Sequence, residues 1–461
     1  MVAKLSIETC LNIISALRPL VAAAVENIRH NGKWGPELEQ TEAFACSNYL
    51  YTSENQGPSS WSTQEGTEED WGIARSRVVQ ELSLESKLAI FEAQLRDLGG
   101  VDYPARFGLE SLITRMARAF HGGEPEDNSD AALAALLLHD LSGKPVEHSI
   151  VARAAGLVIL SEPIELEIPG GLVVLEAFTR EMFEKPRRVS RYIPEPFFPD
   201  FPTALISIRL VALAPVEAQK VLEKAKTIAS LFDPCNLEIN EYSMSSSGLR
   251  RHGGRMTSGR LAQARRQLVL RQEDVAEFRK FWKQMWPAFP FEPFATRNEN
   301  PATVSLGRYT EACTEPRSAE YSMTTVMMGL ESLFTEGAPE ISYRLRQRLS
   351  NFLGHVGLDP HSVHATVREG YNIRSTLVHG GSISYKDRRR IDAMYGSLNE
   401  LLRRNLDLLR LSILLMFLTR MEKDRVLDLL DESMFDSKKR EELGNILAHH
   451  KTALGRIPVW N

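Results

Sequence analysis

The sequence predicts an α+β N-terminal region followed by an all-α helical bundle. Apolar residues recur at helical spacing over Ile7 to Ile28, Ile73 to Leu98, Leu109 to Phe120 and Asp130 to Leu141. From about Leu157 the pattern becomes extended, with Pro and Gly-Gly punctuation. Beyond residue 300 the period is almost purely helical.

The extended part is read as strands at Leu157 to Leu160, Ile164 to Ile168, Leu172 to Phe178, Ala204 to Val211 and Asn236 to Met244. A helix over Pro215 to Phe232 interrupts them. Asn31 to Trp71 is acidic and loop-rich, with Trp34, Trp61 and Trp71 read as packing residues. Ser245 to Arg260 is rich in Ser and Gly and reads as a loop, and Trp286 to Phe294 as an aromatic, Pro-rich linker. The expected division is a region over 1–299, divisible into helical 1–150 and α/β 151–299, and a helical domain over 300–461.

In that last domain helices are expected over Leu306 to Cys313, Glu320 to Phe334, Ile341 to Gly354 and within Pro360 to Val378. A long fifth helix is expected from Asp387 to Met421, with up-and-down packing around a shared apolar core.

The 461 residues carry 43% hydrophobic and 25% charged residues, the composition of a soluble globular protein. A net charge of −5 gives no global field toward nucleic acid, so any such site must be a local basic patch. Met1 to Ile14 lacks the pattern of a signal peptide. The most lipid-like stretch, Leu411 to Leu418, is far shorter than the roughly 20 residues of a membrane span. Cys10, Cys46, Cys235 and Cys313 lack CxxC spacing, which argues against a zinc ribbon or a disulfide framework. A cytoplasmic location without membrane association is expected.

No GxxxxGK[ST], HExxH, GxSxG or GxGxxG pattern is present. His361 with His364, and His449 with His450, lack clustered carboxylates and read as surface pairs, so no metal and no cofactor are expected. Two basic runs stand out. Lys185 to Arg191 is one; the other holds Arg250, Arg251, Arg255, Arg260, Arg265, Arg266 and Arg271. Solvated surface and phosphate contact are the competing readings of the second run, with Arg250, Arg251 and Arg255 the candidates for contact.

Two segments go beyond pattern. One is Gly329-Leu-Glu-Ser-Leu-Phe-Thr335 followed by Glu340-Ile-Ser-Tyr-Arg-Leu345; the other is Tyr371-Asn-Ile-Arg-Ser-Thr-Leu-Val-His-Gly380. In order, spacing and the Arg-Ser-x-x-Val-His-Gly core they resemble the Apea-like branch of the HEPN superfamily. The resemblance covers roughly residues 300 to 440 and does not reach the first two thirds of the chain.

The resemblance implies a HEPN helical domain that cuts RNA without a metal, with Arg374 and His379 catalytic. RNA carries its own nucleophile, the 2′-hydroxyl. Histidine can move protons near neutral pH, and arginine can hold the phosphate as charge builds. The products would be 2′,3′-cyclic phosphate and 5′-hydroxyl ends. Five helical residues advance about 500°, so the two side chains point roughly 140° apart. A site assembled from two motifs across a two-fold axis, in a homodimer, is therefore expected.

Around the motif, Ser375 reads as a phosphate or water contact or as an ordinary helix serine. Glu331 orients Arg374 or is a solvated helix residue. Tyr371 reads as core packing. Lys386, Arg388, Arg389 and Arg390 extend an RNA-binding cleft or form a solvated helix start. Some two-gene HEPN toxins carry a tyrosine two residues after the motif histidine. Here that position is Gly381, which argues against control by modification there. By resemblance the setting is bacterial anti-phage defence, a toxin arresting growth in abortive infection. The 1–299 region would then sense a phage-derived or nucleotide trigger. The alternative is a non-catalytic HEPN module for dimerisation or for nucleotide or RNA binding.

Overall fold

The computed structural model describes residues 5–30, 87–99, 105–119, 129–178, 203–212, 215–246, 254–257, 267–289, 300–314, 318–336, 340–458 and 460. Trp34, Trp61, Trp71, Cys46, the run Lys185 to Arg191, Arg250 and Arg251 lie outside them, as do residues 73–86 of one expected helix. Arg255 is described only through its backbone.

The first four described helices are α1 (Ile7–His30), α2 (Lys87–Gly99), α3 (Ala105–Ala119) and α4 (Asp130–Leu141). Their apolar stripes enclose a core of their own, including Ile14, Leu17, Val21, Leu95, Leu112 and Leu137. Ser129 caps α4 by accepting from the Ala132 amide. The longest lipid-like helix lies here and not at Leu411 to Leu418. Ile7–Asn27 is long and apolar enough to cross a membrane by length and composition, and a third of that window is buried against its neighbours.

A six-stranded antiparallel sheet follows, in the order β3-β4-β5-β1-β6-β7. The strands are β1 (Val146–Ala155), β3 (Ile164–Ile168), β4 (Gly171–Ala177), β5 (Thr203–Ala212), β6 (Glu238–Ser246) and β7 (Gly254–Thr257). A separate parallel pair joins β2 (Leu157–Leu160) to β8 (Leu268–Arg271). The helix α5 (Pro215–Phe232) lies against β5 and β1, and α6 (Val275–Ala288) against β3.

This region corrects the sequence reading at three points. Its central strand, β1, begins before the expected onset of extended structure, within the segment expected to be helical. Its alternation is disguised by His148 and Arg153, which are polar yet buried. Ser245 to Arg260 is not all loop, because Gly254–Thr257 pairs with β6. Trp286 is not linker: it is inside α6, buried and stacked 4.9 Å from the ring of Trp282.

The last eight helices are α7 (Pro301–Thr314), α8 (Ala319–Phe334), α9 (Ile341–Gly354), α10 (Pro360–Val378), α11 (Tyr385–Tyr395), α12 (Leu398–Thr419), α13 (Lys423–Glu432) and α14 (Ser437–His450). The expected helix over Asp387 to Met421 is two. Gly396 ends α11 at φ 82°, and Ser397 starts α12 by accepting from the Glu400 amide. The α12 helix is buried all round from Asn405 to Phe417, and α7, α8 and α10 pack against it. Arg348 ties α9 to α13 through two bonds to Asp431, of 2.8 and 2.6 Å, and caps α8 by donating to the Phe334 carbonyl.

A single apolar core runs from the sheet through α5 and α6 into the C-terminal helices, continuous across residue 300. At its centre lies Arg410, fully buried in α12. Its guanidinium donates to the carbonyls of Leu231 and Phe232 at the end of α5, and to those of Leu454 and Arg456 in the C-terminal tail. Asp407, also buried, pairs with it at 3.4 Å. Removing that cation takes a buried donor from four carbonyls and from Asp407, which also pairs with Arg403 at 3.3 Å. Arg410→Met should lower the free energy of unfolding by about 3 kcal/mol or more in urea denaturation. A loss below about 1 kcal/mol would mean that these carbonyls do not depend on Arg410.

Candidate functional site

The motif sits at the end of α10, and the sequence fixes both ends of that helix. Asp359 accepts from the amides of His361 and Ser362, and Pro360 occupies the first turn. At the other end Gly380 adopts φ 76°, donating its amide to the Leu377 carbonyl at 2.9 Å while Gly381 donates to Thr376 at 2.8 Å. That paired bonding is a Schellman ending, and it makes His379 the capping residue.

Arg374 and His379 therefore meet different surroundings. His379 is exposed where the helix stops. Arg374 is half-buried and turned toward α8, its Nη2 donating to Glu331 Oε2 at 3.2 Å. Its guanidinium also lies 5.5 Å from the centre of the Tyr371 ring. Tyr371 in turn packs against the core, so the phenol both fills space and backs the arginine. Gly370 lets α10 approach α8, since a Cβ there would lie 2.9 Å from Met327 Cε. Met327 meeting Gly370 and Glu331 meeting Arg374 show that the two helices run in the same direction.

The ion pair is only half satisfied. Arg374 Nε and Glu331 Oε1 are buried without a hydrogen-bond partner among the described residues. Burial pushes the Glu331 carboxyl above the usual glutamate range, with Arg374 pulling the other way. Of the two readings of Glu331, its contact is the one that orients Arg374. Ser375 gives its carbonyl to the His379 amide, and its hydroxyl makes no hydrogen bond among the described residues.

The four basic residues after the motif divide into two pairs. Arg388 is tied to Glu320 of α8 at 3.2 Å, and Arg390 to Glu369 of α10 at 2.7 Å and to Asp387 at 3.3 Å. Lys386 and Arg389 are exposed and make no ion pair among the described residues. Glu369 was missed in the sequence. It is 2% exposed and holds both Arg368 and Arg390. The available signal was an acidic residue set among Thr366, Gly370 and Ile373 on the inner stripe of α10. Arg255, the described member of the earlier basic candidates, lies on the edge strand β7 of the sheet. Groups of three or more His, Cys, Asp or Glu able to hold a metal ion are absent among the described residues.

Comparison with protein-family models, with curated proteins and with solved structures returned no match.

The raised Glu331 carboxyl gives a pH signature. Between the ordinary glutamate value, about 4.3, and its higher folded value, the native state holds more protons than the unfolded chain. Stability contributed by this group is present at the acidic end and lost as pH rises through the folded value. The stability of wild type minus Glu331→Gln, from urea unfolding at a series of pH values, should therefore fall as pH rises across that window. A difference that grows instead would show the Arg374 pairing outweighing burial.

Proposed function

We propose that the C-terminal helical region is a HEPN domain acting as a metal-independent endoribonuclease, with Arg374 and His379 as its catalytic residues. The observation that carries this reading is the placement of the motif. A half-buried arginine is held at one edge by Glu331, and five residues on an exposed histidine stands at the helix end.

In the proposed reaction His379 takes the proton of the ribose 2′-hydroxyl. The 2′-oxygen attacks phosphorus, the bond to the 5′-oxygen breaks, and that oxygen leaves with a proton from a second His379 across a dimer axis. Arg374 holds the phosphate oxygens as charge builds. The products are 2′,3′-cyclic phosphate and 5′-hydroxyl ends. Ser375 lies beside Arg374 as a phosphate or water contact. The region preceding residue 300 would restrain the cut until a phage-derived or nucleotide signal arrives, in a cytoplasmic defence that arrests growth.

One observation favours a second reading. The Arg374–Glu331 pair occupies part of the guanidinium, as it would in a non-catalytic helical module that binds nucleotide or RNA or dimerises. The two readings part in cells. Wild type, Arg374→Ala and His379→Ala are expressed side by side, with and without phage infection, and total RNA is probed for new 2′,3′-cyclic phosphate ends. Ends and growth arrest in wild type alone are expected. Identical behaviour of all three, with no cleavage even on infection, would sink the ribonuclease reading in favour of the binding module.

A further inference from the structure

We propose that the outward face of α11 is a platform for unpaired RNA, on which Tyr385 stacks a base while Lys386 and Arg389 hold the adjoining backbone. The proposal rests on the reading that the neighbouring motif handles RNA, and it names the form of RNA taken.

Tyr385 is 78% exposed, the second most exposed large hydrophobic side chain among the described residues. It stands on the first turn of α11, just past the loop Gly380 to Ser384 that follows His379. The helix buries Ile391 and Tyr395 on its inner side, so Lys386 and Arg389 fall on the side away from the core and the exposed Tyr385 on the flank beside Arg389. The Arg389 guanidinium lies 5.9 Å from the centre of the Tyr385 ring. Apart from that contact the ring is left in water, with most of its apolar area unburied.

The charge pattern says what it fits. Arg388 and Arg390 are neutralised by Glu320, Glu369 and Asp387. Lys386 and Arg389, the two that flank the aromatic, are left without acidic partners among the described residues. Asp392 follows a turn beyond Arg389 and is exposed, so the uncompensated positive face is confined to the first two turns. Those turns are the ones nearest His379 in the chain. An aromatic face with flanking cations suits a splayed base and its phosphates, because every base has a face to stack and every nucleotide a charge to neutralise. A paired A-form helix keeps its base faces stacked inside, so the same platform offers it only the two cations.

The test uses the full chain carrying His379→Ala, so that cleavage does not consume the probe. Binding of a labelled short oligouridylate is followed by fluorescence anisotropy, beside a blunt RNA duplex of matching length. Adding Tyr385→Ala should weaken single-strand binding by about 5-fold to 100-fold, Tyr385→Phe should restore it, and duplex binding should be unchanged. Lys386→Ser should lower the salt dependence of single-strand binding by about 0.7 in the log–log slope. The proposal is overturned by single-strand binding that ignores Tyr385→Ala, by equal losses on single strand and duplex, or by no binding in the parent. Tyr385-dependent binding without any cleavage by wild type would remove the ribonuclease reading and leave the platform. Cleavage by wild type with Tyr385-independent binding would do the reverse.

Discussion

A guanidinium with no access to water must find its acceptors inside the protein, and the second core of this chain is arranged around that demand. Arg410 reaches the carbonyls that end α5 and those of the C-terminal tail. Those segments lie far from it in sequence, one before the bundle begins and one after its last helix. An isolated cation in apolar surroundings costs several kcal/mol, so the arrangement is stable only when all three segments meet. Arg456 repeats the device nearby, pairing with Asp233 at 2.8 Å and Asp274 at 2.7 Å and donating to the Val269 carbonyl. Sheet and helices are thereby joined by polar bonds, buried at Arg410 and partly exposed at Arg456. The same α12 that carries Arg410 backs α8 and α10, which hold Glu331 and Arg374. This is physical contiguity between sheet and motif; energetic coupling is a separate property.

The motif owes its form to how α10 ends. A helix that continued past Val378 would carry His379 on around the cylinder. Gly380, with its left-handed backbone, stops it instead, and the carbonyls of Leu377 and Thr376, which a bare helix end would leave without donors, accept from the amides of Gly380 and Gly381. The histidine is left in the open while the arginine, one turn and a half earlier, still faces a neighbouring helix.

Elements closed by local chemistry were legible in the sequence. The α10 helix fills the whole Pro360 to Val378 span within which a helix was expected, because Asp359 at its start and Gly380-Gly381 at its finish close it within a few residues. The break at Gly396-Ser397 was missed for the opposite reason. The apolar period runs on across it, and periodicity reports burial, not helix continuity. β1 was missed because His148 and Arg153 sit at buried positions and erase the strand's alternation. α6 went unread since its one-sided apolar face, ending in Trp282 and Trp286, runs into Pro287 and Pro290. At the candidate site Arg374, His379 and Glu331 stood out through the resemblance to HEPN proteins, which the Arg-x4-His spacing alone does not carry. Glu369 did not, since only the fold brings Arg390 to it. The same holds for the division of Lys386, Arg388, Arg389 and Arg390 into paired and unpaired residues.

The geometry also bears on how many chains a complete site needs. Arg374 is drawn toward α8 by Glu331, and His379 is exposed as the helix's C-terminal cap. Under the ribonuclease reading, a phosphate held by Arg374 would lie against one side of α10, while a proton moved by His379 would be exchanged at its tip. About 140° of helical rotation separates the two positions, and the Glu331 contact keeps the arginine from swinging across. In-line displacement needs a base and an acid on opposite sides of one phosphorus, and a single His379 cannot be both at once. Under the ribonuclease reading, the exposed histidine of one chain and the arginine of another must face a shared cleft. An isologous two-fold pairing of the α10 ends is the simplest way to supply both.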